Sequence, residues 1–595
     1  MKKNNPLIRF YSLSILFFSC NIFLASADNS SEKLFVQKTD SRLLIELSNK
    51  KPTEFVVLMN EQADVSDANN LLTKEEKGEF VFKKLSELSK RSQSSLITFL
   101  NANSIPYKAF WIVNSISVTG NIDLAKKLIE FPEVKSLLEN SKFYVEKPVV
   151  IDYAAKQDKT LAVEWQITLV NADKVWALGF KGQGAVVSGG DTGYEWTHAA
   201  IKKQYRGWNG SAADHNYNWH DAIHSGTGGS CGINLTAPCD DGSHGTHTMG
   251  SMVGDDNTGN QIGMAPLAKW IGCRNMNDGV GTLTTYLEHF QWMLAPTDIN
   301  DKNPMPSKAP HVINNSWGCA MDPPAEVGCT VANFPVHRTA IKNLRTAGVV
   351  VVASAGNAGS NCSTIGDSPA IFDESFSVGS TTSSNAMSSF SSRGPVTIDG
   401  SNRLKPNISA PGSNIRSCVP GGGYSSMSGT SMAGPQVAGL VALLISANPK
   451  LAGQVDSIEN IIERTAFRSI TNTQTCGGTS PSTWPNNTVG YGRIDALAAV
   501  KAAQASTTSI PLITSNGIIN AYPNPTNDAI TFLMNDVKEI GTIKIYSIEG
   551  QILAEHKTNP SENKFKISVS NFANGLYIFE FETSLKTYYG KFVKN

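Results

Sequence analysis

Three apolar runs constrain this chain more than any other feature: GAVVSGGD, HVINNSWG and GVVVVASAG. Each is short, each is closed by Gly or Ser, and helical segments lie between them. Apolar strands alternating with helices predict a parallel sheet covered on both faces, an α/β fold. Three polar motifs sit at the ends of such elements. Asp191 ends an apolar strand in VVSGGDTGYEWTH, His244 opens a helical stretch in DDGSHGTHTMGSMVG, and Ser431 opens an apolar helix in SGTSMAGPQVAGLVALLI.

These residue types suit one chemistry. A serine hydroxyl is a weak nucleophile at neutral pH and needs an adjacent base. Histidine can take that proton near neutrality. A buried carboxylate holds the imidazole in the working tautomer and stabilises the imidazolium. Strand ends and helix N-termini are where an open sheet presents such groups. Small neighbours, Gly429, Thr430 and Ala433, let a substrate backbone approach Ser431, and a helix N-terminus brings free N–H groups to a developing oxyanion. Alone, each motif is modest: a Ser in a Gly-rich turn caps helices, and an Asp after a strand is a turn residue. HGTH also reads as a pair of zinc ligands. On that alternative His244, His247 and Asp240 or Asp241 serve a metal-dependent hydrolase. In the order Asp, His, Ser the three motifs together are specific.

With DTG, HGTH, GTSMAGP, NNSWG, SAGN, SFSSRGP, SAPG and GYGRIDALAAV, the segment from Val163 to Ala503 resembles the subtilisin-like serine proteases, nearest to the bacillopeptidase F-like group. The resemblance implies Asp191 as orienting carboxylate, His244 as general base and acid, and Ser431 as nucleophile of an endopeptidase acting on proteins or peptides. It implies Asn357 as the side-chain oxyanion donor; an amide donates without titrating. Substrate binding falls to Ser316, Trp317 and Gly318, which pair with the substrate backbone, and to Ser354, Ala355, Gly356 and Gly366 around the S1 pocket. Asp367 reads either as a partner for a basic P1 side chain or, more simply, as a solvated loop residue. One departure is visible: SGG precedes Asp191 where the family carries bulkier residues, and a glycine pair could loosen that turn. The catalytic chemistry requires no cofactor or metal. Structural Ca2+ is common in the family, and the loop Asp255–Gln261 is the candidate here, although such Asp/Asn clusters are more often plain turns.

The flanks differ from this segment. The start, MKK, an apolar run and an A-x-A site ending at Ala27, has the layout of a signal peptide over residues 1–27. No other stretch reads as long and apolar enough to span a membrane. Between Ile45 and Val150 stand 14 basic and 14 acidic residues, a denser charge than the 17% of the whole chain. Strand, helix, strand, helix, strand periodicity there predicts a small α+β, ferredoxin-like unit over 45–150, with one helix across 77–103 and one strand across 108–120. It resembles the inhibitory propeptides of the family, with a self-cleavage junction between about Lys147 and Val163. A peptidase domain over 160–505 follows, then a linker over 506–518. Residues 519–595 read as five to seven short strands of a β-sandwich. With AYPNP and a KFVKN end, they resemble type IX secretion sorting domains, which implies the type IX secretion machinery as partner and export through the Sec pathway to the exterior or cell surface.

Charge and cysteine count narrow the field. Lys and Arg total 51, as do Asp and Glu, so no basic excess supports nucleic-acid binding. Nine cysteines become eight without the leader's Cys20, all in the peptidase segment. An even number in an exported chain predicts disulfides. Eight allow 105 pairings; Cys231–Cys239 and Cys319–Cys329 close short loops and are favoured, and Cys273 also reads as a buried free thiol. A non-catalytic surface binder working through the terminal sandwich is a further alternative, against which the complete motif set argues.

Overall fold

The computed structural model describes residues 30–49, 51–145, 148–152, 163–320, 328–329, 332–508, 519–534, 540–548, 550–559, 564–583 and 587–595. The signal-peptide expectation, and residues 509–518 of the expected linker, lie outside them. The chain divides after Ala503 into two compact units.

Near the N-terminus, β1 (Thr53–Met59), α1 (Lys74–Ser92), β2 (Tyr107–Phe110), β3 (Ser115–Gly120), α2 (Ile122–Ile129) and β4 (Val134–Glu139) form a sheet of order β2-β3-β1-β4 with helices against it. All its pairings are antiparallel. α1 starts on a capping box, Thr73 with Glu76, which satisfies two otherwise free N–H groups. Successive residues of β1 face opposite sides. Phe55, Val57 and Met59 join a core with α2, while Val56 and Leu58 join a core shared with the following domain. Helices Ser30–Lys38 and Ser41–Ser48 add Phe35, Leu43 and Leu47 to the first core, a contribution the charge pattern does not reveal.

Two expectations change here. The helix across 77–103 is two helices broken at Gln93, because the buried Gln93 Nε2 donates to Phe110 O (2.9 Å) and Asn114 Oδ1 (2.8 Å). The strand across 108–120 is a hairpin, turned at 111–114, where the Trp111 N–H donates to Gln291 Oε1 (2.7 Å) of the next domain.

β5 (Lys142–Tyr144) and β6 (Val149–Asp152) lead onward. The large sheet has eight parallel strands: β7 (Val186–Asp191), β8 (Trp219–Asp221), β9 (Lys269–Trp270), β10 (Gly272–Arg274), β12 (Val312–Asn315), β14 (Val350–Ser354), β16 (Phe376–Thr381) and β17 (Ile408–Pro411). Their order is β17-β16-β14-β12-β7-β10-β8, with β9 also beside β7. The apolar runs are buried on both faces, as a sheet between helix layers requires. The strand order reverses at β7, where an open α/β sheet leaves a crevice beyond its carboxyl ends. Around it lie α3 (His244–Val253), β11 (Val280–Thr282), α4 (Leu283–Leu294), β13 (Cys319–Ala320), α5 (Asn333–Thr346), β15 (Asp367–Ser368), β18 (Ile415–Val419), β19 (Gly423–Ser428) and α6 (Thr430–Ala447).

α6 corrects the membrane expectation. Its 18 residues are long and apolar enough to cross a bilayer, yet the helix is 89% buried inside the protein. A helix apolar all round is a core helix when protein surrounds it. Disulfides join Cys231–Cys239, Cys319–Cys329 and Cys362–Cys476. The expectation that all eight cysteines pair is not met: Cys273 and Cys418 are buried free thiols.

The second unit has seven strands among the described residues, β20 (Ile519–Tyr522), β21 (Ala529–Met534), β22 (Gly541–Tyr546), β23 (Ile552–Lys557), β24 (Lys564–Ser568), β25 (Gly575–Thr583) and β26 (Thr587–Lys594). They form sheets of order β20-β21-β24 and β23-β22-β25-β26. Ile530, Phe532, Ile543, Phe579 and Phe581 share one core, the sandwich expected from alternation.

Candidate active site

Asp191 is the last residue of β7 and His244 the first of α3. Their side chains meet, His244 Nδ1 to Asp191 Oδ1 at 2.8 Å, both buried. Asp191 Oδ1 also accepts the Thr192 N–H at 2.8 Å, and Thr248 Oγ1 donates to Oδ2 at 3.3 Å. The helix start is held by Asp240, which accepts from Gly242 N, Ser243 N and Thr246 N, satisfying N–H groups a helix leaves free. Gly245 makes the approach possible: a Cβ there would lie 2.0 Å from Gly193 O. Burial opposes charge on His244, but the Asp191 carboxylate outweighs it and holds the imidazole above its ordinary value. His244 Nε2 has no hydrogen-bond partner among the described residues.

The glycine pair before Asp191 does not leave a loose turn. Gly189 and Gly190 are buried in β7, and a Cβ at Gly190 would meet the His289 ring at 2.6 Å. The bulk missing from β7 is supplied by α4.

Ser431 is the second residue of α6. Its Oγ donates to Ser316 O at 3.3 Å, and its carbonyl accepts from Ser316 Oγ at 2.9 Å. Pro435 explains that second bond. A proline four residues on has no N–H for the Ser431 carbonyl, so a side chain from the end of β12 takes the acceptor. Asn357 Oδ1 accepts from Thr430 N (2.9 Å) and Thr430 Oγ1 (3.0 Å), which fixes the amide. Its Nδ2 is buried and unpartnered, and a Cβ on Gly429 would lie 3.4 Å from it. An orphan donor beside the Ser431 backbone suits an oxyanion that exists only during reaction.

The cleft already holds a strand of the chain's own. β5 pairs antiparallel with β11, Phe143 opposite Gly281. On its other edge Tyr144 exchanges bonds with Gly318, N to O at 3.5 Å and O to N at 3.4 Å. Phe143 is buried, stacked on Tyr286 with centroids 4.3 Å apart and edge-on to Trp317 and His337. β6 then pairs with β19, the strand that runs into Ser431.

His244 is bonded to Asp191, Ser431 to Ser316, and Asn357 to Thr430, the residue before Ser431, while α6 packs against α3 and β7, and Gly318 lines the strand β5. Trp317 serves from behind, its Nε1 donating to Gly190 O at 3.0 Å while its ring backs Phe143. Ser354 Oγ donates to Ser316 Oγ (3.3 Å), the Ala355 N–H donates to Val378 O (3.0 Å), and the Gly356 N–H donates to Thr430 Oγ1 (3.2 Å); these three brace the site. A Cβ at Gly366 would meet Ile398 Cδ1 at 4.0 Å, an ordinary contact. Asp367 is not free in a solvated loop: it pairs with Ala320 across β13–β15, and its Oδ2 would lie 3.0 Å from a Cβ on Gly318. Sequence reading named Thr430 only for its size and missed Thr248 and the β11 edge, whose DGVGT pairs with β5 through its backbone.

The zinc alternative fails on geometry. His247 Nε2 is taken up by Ile415 O and Ser425 O, burial pushes its imidazole down to about 3, and Asp240 is spent on the helix start. The loop of the calcium candidate is a turn held by its own hydrogen bonds. Asp255 and Asp256 accept from N–H groups of their own turn, at Asn257, Thr258 and Asn260. Among the described residues no group of three His, Cys, Asp or Glu is arranged for a metal ion.

Comparison with known proteins agrees with this geometry. Residues 182–492 match the model of the subtilase family, and residues 520–595 match that of the secretion system C-terminal sorting domain. Bacillopeptidase F of Bacillus subtilis is 35% identical over 496 residues, covering 78% of this chain. The chain spans about a third of that relative's length, 32%. Subtilisin DY of Bacillus licheniformis is 31% identical, with 51% of this chain and 91% of the relative covered. A crystal structure of a mutant epidermin leader peptide processing serine protease from Staphylococcus aureus aligns with TM-score 0.53 at 16% identity, over 76% of this chain and 99% of its own.

Proposed function

The chain belongs to the subtilase family, and from that premise we propose that it is an exported serine endopeptidase made as a self-processed zymogen. The observation that carries the reading is the buried His244, bonded to Asp191 through Nδ1 and without a partner at Nε2 among the described residues, on a helix packed against the one that opens with Ser431. Ser431 Oγ attacks a peptide carbonyl as His244 Nε2 takes its proton. The oxyanion is met by Asn357 Nδ2 and the Ser431 N–H. His244 returns the proton to the leaving amine, and water releases the acyl group by the same route. Fluorophosphonate labelling beside a chelator-treated peptide assay is the test. Label on Ser431 with chelator-resistant cleavage is expected; chelator-sensitive cleavage without label would overturn the proposal.

Asn357→Ala should lower kcat about 10²–10³-fold with KM little changed, a size carried over from the matching donor of subtilisin. Steady-state kinetics on a peptide checks it; an equal change in KM with kcat intact would assign Asn357 to substrate binding.

The N-terminal unit is read as inhibitor because its β5 occupies the cleft as a substrate strand would. The bond cut in maturation is proposed to lie between Val145, whose N–H donates to Gly279 O, and Val149, which pairs with Ser428 next to the nucleophile. N-terminal sequencing of matured protein is expected to start at residues 146–149; a start beyond Val163 would exclude this register. The proposed route is Sec export by the leader, then type IX secretion through the C-terminal unit, delivering the enzyme outside the cell or to its surface.

A further inference from the structure

A cluster of charges outside the catalytic site joins the N-terminal unit to the peptidase domain. Lys108, on β2, reaches across to Glu288 on α4 and forms a close ion pair with Glu288 Oε2. Glu288 is buried and receives two imidazoles on its other oxygen, His220 Nε2 at 2.7 Å and His224 Nε2 at 2.8 Å. His224 Nε2 also lies 3.1 Å from Lys108 Nζ. On their far sides His220 Nδ1 faces Asp301 Oδ1 at 3.3 Å, and His224 Nδ1 faces Asn234 Oδ1 at 2.6 Å. Glu54 lines the same recess, which borders Val280, Gly281 and Thr282 of the cleft strand β11.

The two histidines play different parts. Burial opposes charge on His220, but hydrogen bonds to Asp301 and Glu288 carry it up to about 9, so it is cationic at neutral pH. His224 cannot serve both neighbours in one state. An amide oxygen only accepts, so Nδ1 carries a proton. Neutral His224 then has a lone pair at Nε2 and accepts from the Lys108 ammonium. Protonated His224 donates Nε2–H to Glu288 and sets a second cation 3.1 Å from Lys108.

We propose that this recess is a binding site for a primary ammonium group, filled by Lys108 in the zymogen, and that proton uptake at His224 expels it and loosens the N-terminal unit. This rests on the reading of that unit as a removable inhibitor. The sign follows from linkage. The hydrogen bond to Glu288 raises His224, burial and then Lys108 lower it, and the net direction is up. With Lys108 withdrawn, one lowering influence is gone and His224 binds its proton more tightly. The ammonium therefore binds best above both values of His224 and worst below both. The window lies above the ordinary histidine value, so the latch weakens as pH falls from alkaline toward neutral. The charges facing His224 in this window are Lys108, Glu288, Glu54, His220 and Asp301, and His224 is the group whose proton competes with Lys108.

The test uses the full chain carrying Ser431→Ala, which stays uncut, and reads hydrogen-exchange protection of the β2 amides, corrected for intrinsic rate. Protection should fall about tenfold between about pH 9 and about pH 6, as the proton taken up at His224 displaces the Lys108 ammonium. Adding His224→Gln, which accepts from lysine but does not titrate, should abolish the fall and keep protection high. Adding Lys108→Met should give low protection at both values. A full tenfold fall in the His224→Gln chain, or unchanged protection in the Lys108→Met chain, would overturn the proposal. Because this chain needs no cleavage, a failed latch is distinguished from a failed protease, which wild-type self-processing tests separately.

Discussion

Ser431→Ala is expected to abolish peptide hydrolysis and leave the chain uncut, with full-length protein accumulating in place of a matured form. The loss in kcat should be about 10⁶-fold, a magnitude transferred from the nucleophile of subtilisin. What remains is the catalysis an oxyanion site and binding give without a nucleophile, about 10³–10⁴ over water. The substitution is clean. Among the described residues Ser431 Oγ makes one bond, a long one to Ser316 O at 3.3 Å, while the backbone is held independently by Ser316 Oγ. Losing such a bond costs about 1 kcal/mol at most, so thermal unfolding should barely move. Purified Ser431→Ala protein that still matured would remove the serine mechanism and the zymogen reading together. A cut only in cell extract would point to another protease and leave the assignment standing.

The three candidate residues stand out in the sequence because the proposed chemistry dictates residue types and the fold dictates where such groups stand. Asp191, His244 and Ser431 each end or begin an apolar element, so three local patterns point to one proposed site. What was not legible depends on partners far apart in the chain. Gly189 and Gly190 look like slack until His289, on α4, is seen filling the space beside them. Cys362 and Cys476 stand 114 residues apart, and no spacing argument could pair them. Cys273 and Cys418 are set in the core as small apolar side chains, which a count of cysteines cannot show. β11 binds through its backbone, and any extended sequence can do that. Gln93 breaks an otherwise good helix because the hairpin beyond it has carbonyls to satisfy. Local periodicity carries no trace of that demand. The orientation of Asn357 by Thr430 belongs to the same class: the amide was recognisable, but which of its ends faces the reaction depended on a residue 73 positions later.

Asp191→Asn should cost about 10⁴-fold in kcat, an order transferred from removal of the matching carboxylate in subtilisin, and its pH profile shows which of two causes is at work. One cause is misorientation, in which the amide turns its NH₂ toward His244 and forces the wrong tautomer. The neighbours here oppose that turn. The position now held by Oδ1 receives two N–H donors, Thr192 N at 2.8 Å and His244 Nδ1 at 2.8 Å, so it selects an oxygen. Thr248 Oγ1, which gives its one proton to Oδ2 in the wild-type site, can turn it to Gly245 O at 3.0 Å and then accept from an NH₂. The amide therefore keeps its oxygen on His244, and the tautomer survives. The second cause is loss of charge. Burial pushes His244 down and the Asp191 carboxylate is the largest influence pushing it up. With the carboxylate gone burial prevails, and the imidazolium formed as Ser431 attacks is left without its counter-charge. The acid limb of kcat/KM reports His244 in the free enzyme. In the wild-type enzyme it should lie above the ordinary histidine value of about 6.5. In Asp191→Asn it should move to lower pH, while the plateau stays depressed at every pH. A depressed plateau with an unmoved limb would mean that Asp191 acts on His244 by orientation alone.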